Sequence, residues 1–200
     1  MAAAPKLPFL TVLAWFGLLL GSFGSLYGLA SAAPFFASHD TFVSARRADV
    51  EQQLAGKPPD DPERQRAVTT VERAAEALYA RRGAIIPLAI LNFVLSMMLF
   101  VACGRALRRL PSALSLWVLA AALSVPYTIL DGALSWLQGR DLEVVFRDLG
   151  DPLGVIGLKM RNLMTLFKAA LEILYFAVCV VYLRRPDLQR LFSAGENRTS

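Results

Sequence analysis

The chain has 200 residues, 56% of them hydrophobic and 18% charged, with a mean hydropathy of +0.47. Soluble domains carry about 25% charged residues and about 45–50% apolar ones, so composition excludes an ordinary soluble domain. The net charge of +5 comes from arginines flanking apolar blocks, which accounts for it without nucleic acid as a partner.

Four apolar blocks reach the roughly 20 residues needed to cross a bilayer: about 9–32, 84–103, 112–137 and 163–183. Lipid offers no partner to a backbone amide, so each must be a helix or part of a closed barrel. Barrel strands alternate over about ten residues, and "LAILNFVLSMMLFVAC" does not. The sequence therefore predicts an all-α polytopic membrane protein, a bundle of four transmembrane helices.

The first span contains "GLLLGSFGSLYGLASA". Its Ala30–Ala32 end resembles a signal-peptidase site, but the apolar run of about 24 residues exceeds the about 7–15 of a signal core. Retention as a span is expected. Gly17–Gly21 and Gly24–Gly28 are GxxxG pairs, a spacing that lets two helix backbones approach closely in lipid. A neighbouring span or a second copy of the chain could supply the other helix. The opening "LPFLTVLAWFGLLLGS", Leu7 to Ser22, resembles the first helix of small, uncharacterised bacterial four-span membrane proteins with a PxFLTVL-type start. That resemblance implies four spans, no particular activity and no functional residues.

Residues 34–83 form the long loop 1, broken by "KPPDDP". Asp61 is placed to cap a helix with Pro62 at its first position. Ala67, Val71, Ala74, Ala75, Leu78 and Tyr79 then recur at helical spacing. "FVSARRADVEQQLAG" predicts a second helix ending at Gly56. The expectation is an extracytoplasmic helical hairpin, against a solvated linker as the alternative. His39, the single histidine, reads as a solvated or capping residue.

Span 2 carries Asn92 and span 3 carries Tyr127 and Asp131. Loop 2, "GRALRRLP", has Arg105, Arg108 and Arg109 and no acid, and the tail after span 4 has Arg184, Arg185 and Arg190. The positive-inside rule puts those segments, and both termini, in the cytoplasm. Arginine excess and abundant alanine suggest a GC-rich bacterial genome, and the expected location is the cell's inner membrane. Loop 3, "RDLEVVFRDLG", reads as a separate interfacial helix stopped by Gly150. Span 4 contains Lys168 and Glu172, one turn apart on a shared face.

Depth ties these polar residues together. At 1.5 Å per residue, Lys168, Asp131, Asn92 and Glu172 lie roughly 8–14 Å below the loop 1 surface. Ionisable groups at such depth face protein or water. Asn92, Tyr127, Asp131, Lys168 and Glu172 therefore form a candidate intramembrane cluster, either glue between helices or a proton or solute site. Cys103 and Cys179 lie in spans without CxxC or histidine neighbours, which indicates packing. No GxSxG, HExxH or nucleophile–base constellation is present, so the sequence points to no catalytic residue, metal or cofactor. The expected role is structural or accessory, through contacts with lipid and with another membrane protein or itself. A transporter or proton-coupled sensor is the alternative.

Overall fold

The computed structural model describes residues 8–110 and 112–193. All regular elements among them are helical: α1 Pro8–Ala32 with a 3-10 turn Ala33–Phe36, α2 His39–Gln53, α3 Pro62–Tyr79, α4 Arg82–Leu107, α5 Ala113–Asp148, α6 Pro152–Leu183 and α7 Pro186–Ser193. Four of them (α1, α4, α5 and α6) are long and apolar enough to cross a membrane. The protein is an all-α multi-pass bundle with a helical hairpin, α2–α3, between its first two spans.

The caps explain where the short helices begin. Ser38 accepts a hydrogen bond from Thr41 N at the start of α2. Asp61 accepts from Glu63 N at 2.7 Å, with Pro62 in the first turn of α3. Helix α2 thus runs 39–53, three residues earlier than the sequence suggests at both ends. The α2–α3 core is Phe42, Ala75 and Tyr79, with Arg47 bridging Glu51 on its own helix and Glu72 on α3.

The last two spans differ from expectation. Helix α5 has 36 residues and α6 has 32, so they extend about 54 and 48 Å against a hydrocarbon core of about 30 Å. The segment read as a separate interfacial helix is the last part of α5. Nothing between Leu137 and Asp148 stops a helix, since one interior glycine (Gly139) costs only about 1 kcal/mol. The chain turns at Gly150, at φ +68°. Asp151 Oδ1 then accepts from Gly154 N at 3.0 Å, and Pro152 opens α6.

The chain divides into two compact units. One holds α1 up to Leu29, Ile90–Ile129 and the residues from Ala170 onward. Its core includes Ala14, Cys103, Trp117, Cys179 and Leu183, with Leu188 and Phe192 of α7 joining it. Ser124 Oγ donates to Ala120 O and Thr128 Oγ1 to Ser124 O, so these buried hydroxyls are satisfied within their own helix. Both cysteines are buried free thiols.

The other unit holds Ala30–Ala89 and Leu130–Ala169. Here α5 and α6 are antiparallel at close range. A Cβ on Gly139 would strike the Asn162 amide, one on Gly154 would meet Phe146 Cδ1 at 2.5 Å, and one on Gly132 would lie 3.9 Å from Ala169 Cβ. The paired numbers sum to 300 or 301 each time, which fixes the register. Contacts recur seven residues apart, the repeat of helices packed at a shallow angle.

Candidate functional site

The glycine stripe of α1 lies against α4. A Cβ on Gly21 would fall 2.7 Å from Ser96 O and 2.9 Å from Phe100 N, and one on Gly24 would fall 2.5 Å from Ser96 Oγ. At Gly17 it would meet Cys103 Sγ and, at 2.8 Å, the Tyr175 hydroxyl. Gly28 continues the stripe and is buried. Asn92 clamps the same contact: its Nδ2 donates to Gly24 O at 3.1 Å, and its Oδ1 accepts from Ser96 Oγ at 3.2 Å. Tyr175 Oη donates to Leu13 O at 3.0 Å, joining α6 to α1.

The five polar residues expected to share one layer divide between the units. Asn92, Tyr127 and Glu172 belong to the first, Asp131 and Lys168 to the second. Asn92 engages the α1–α4 contact. Asp131 and Glu172 are each half-buried, and their own helices explain this. Along α5, Leu114, Trp117, Ala121, Ser124 and Thr128 are buried at alternating steps of three and four, and Asp131 is the next step. Along α6 the same alternation runs Leu158, Asn162, Thr165, Ala169, Glu172, Phe176, Cys179, Leu183. Lys168 lies one residue off that line, about 100° around the helix, and is exposed. Its exposure distinguishes it from Glu172, with which the sequence paired it. Tyr127, Asp131, Lys168 and Glu172 all have interaction partners.

A second polar assembly, unread in the sequence, locks the hairpin. Tyr79 is 7% exposed, and its hydroxyl donates to Ala37 O at 2.9 Å while accepting from Arg82. Its ring meets Phe42 at 5.4 Å and His39 at 5.1 Å, with Arg82 stacked at 4.7 Å. His39 Nδ1 lies 3.1 Å from the Asp40 carboxylate, and both are exposed. Arg81 Nε donates to Asp141 Oδ2 at 2.6 Å, fixing the α3–α4 junction to the extension of α5. That hydrogen bond, opposed by desolvation and aided by the carboxylate charge, raises the Arg81 pKa above its ordinary value.

The sequence held weak signals for some of this. Ser96 is one helical turn from Asn92 and Arg82 three residues from Tyr79. Tyr175 and Asp141 find distant partners that no local spacing reveals. Among the described residues no group of three or more His, Cys, Asp or Glu is arranged for a metal ion.

Fold and polar contacts together define a multi-pass membrane protein with an ordered extramembrane hairpin. Comparison with protein-family models, curated proteins and solved structures returns no match.

Proposed function

We propose that the chain is a structural or accessory protein of a cell's inner membrane, acting through contacts with another membrane protein or with a second copy of itself. The observation that carries this reading is the hairpin. Its core, its Tyr79 lock and its Arg81–Asp141 tie hold a fixed shape, while Arg66 and Arg73 on α3 point outward. An ordered platform of this kind suits recognition. The Asn92 and Tyr175 contacts within the spans are engaged in packing, which agrees with a scaffold rather than an enzyme, and the reading assigns no reaction or cofactor. Arginines at loop 2 and after α6 favour cytoplasmic termini, with the hairpin on the far side.

Photo-crosslinking residues at Arg66 and Arg73 test the proposal in intact membranes. A discrete protein adduct at these positions, absent when the probe sits at the exposed apolar Leu171, is the expected outcome. Lipid adducts alone at all three positions would contradict it.

A second reading, a proton-coupled transporter or sensor, is favoured by one specific feature. Each helix carries half-buried polar residues along its buried line: Asp131, Ser135 and Gln138 on α5, and on α6 Asn162 and Thr165 and, beyond Ala169, Glu172. The test is proton flux into proteoliposomes. On the accessory reading, wild-type protein and Glu172→Gln conduct equally little. On the transport reading, wild type conducts and Glu172→Gln loses roughly tenfold or more, as when an intramembrane carboxylate carries the proton.

A further inference from the structure

We propose that the hairpin-side end of α5 and α6 binds an anionic phospholipid headgroup. The site lies at the membrane-side edge of a groove of about 550 Å³ lined by Arg147, Gly150, Asp151, Pro152, Val155, Ile156 and Lys159, with Lys159 the lining residue nearest the apolar run. Two cations line it. Arg147 is paired with Glu143, whereas Lys159 has no ion-pair partner among the described residues. The one acid in the lining, Asp151, already caps α6 through Gly154 N. Arg140, just outside that lining on the membrane side, lies seven residues from Arg147 and so on the same face of α5. It stacks on Trp136, with Cζ 5.3 Å from the ring centroid.

Depth supports a headgroup as occupant. Arg81 holds Asp141 beside the start of α4, where the apolar run begins. Gly139 against Asn162 sets the α5–α6 register, which brings Lys159 level with Leu142 and Arg140 level with Arg161. At 1.5 Å per residue, Arg140 and Lys159 stand about 4–8 Å beyond Leu137, where the apolar run of α5 ends. That distance lies in the polar layer flanking a hydrocarbon core of about 30 Å. Below them Trp136 and Leu163 are exposed at 46% and 61%, presenting apolar surface where acyl chains lie. Tryptophan favours that interface. A phosphate between Arg140 and Lys159, with its chains along Trp136 and Leu163, satisfies both halves of the surface.

The test is native mass spectrometry of the full chain in mild detergent with equimolar phosphatidylglycerol and phosphatidylcholine. Each interfacial cation strengthens anionic-lipid binding roughly fivefold. Wild type should therefore retain phosphatidylglycerol in preference to phosphatidylcholine. Lys159→Gln should lose about fivefold of that preference, and Lys159→Gln with Arg140→Gln should come close to parity. Both side chains are exposed, so the elution profile should not change. Arg73→Gln, on exposed α3, should keep the wild-type ratio. Three results would overturn the site: no preference in wild type, an undiminished preference in the double variant, or an equal loss in Arg73→Gln. Displacement of the lipid by millimolar inorganic phosphate would also overturn it, assigning the groove to a free anion.

Discussion

Gly21→Leu is expected to leave no monodisperse protein after detergent extraction. The first added carbon would meet Ser96 O at 2.7 Å and Phe100 N at 2.9 Å. Both are backbone atoms of α4, so no side-chain rotation relieves the clash. Overpacking a core typically costs about 1–3 kcal/mol where neighbours can shift. Here the two helices must separate, which also breaks the Asn92–Gly24 hydrogen bond. Gly24→Ala should be milder, because the nearest atom is the rotatable Ser96 Oγ. Gly56→Leu and Gly83→Leu face open space and should extract normally. Size-exclusion profiles of the four variants check the order. Equal behaviour of Gly21→Leu and Gly56→Leu would remove close α1–α4 packing from the account.

Tyr79→Ala is expected to open the α2–α3 hairpin while the spans stay intact. The substitution removes a ring that is almost wholly buried among Phe42, His39 and Arg82. Truncating a buried aromatic costs about 3–5 kcal/mol, and the hairpin core has only two other buried members. Limited proteolysis should then cut between residues 54 and 61, leaving the transmembrane helices protected. Tyr79→Phe keeps the ring but loses the bond to Ala37 O, so its effect should be about 0.5–1.5 kcal/mol. Cleavage of Tyr79→Ala no faster than wild type would show that the hairpin is held elsewhere.

The fold class was legible because lipid leaves so few choices. A run such as Ala84 to Cys103, which lacks the alternation of a barrel strand, can be only a helix, and the Asp61–Pro62 pair announces a helix start. What escaped were features set by distance in space. The continuation of α5 past Leu137 was hidden because a switch from apolar to charged residues marks the membrane edge, not the helix end. Only Gly150 and the Asp151 cap stop the backbone. Lys168 and Glu172 looked equivalent at i and i+4, yet α6 follows a 3.5-residue contact line that includes Glu172 and passes Lys168 by. Asn92 has a depth like that of Asp131, but depth does not give direction, and its amide turns to Gly24. The Tyr79 lock and the Arg81–Asp141 pair join residues up to 60 positions apart, beyond the reach of local spacing.

The accessory role is tested most directly by the mass of the particle extracted from its native membrane in a lipid-retaining polymer. The chain alone is 21.9 kDa. The expected result is a heavier particle containing a stoichiometric partner or a second copy, which Tyr79→Ala releases. A wild-type particle holding one chain and lipid alone would contradict that role.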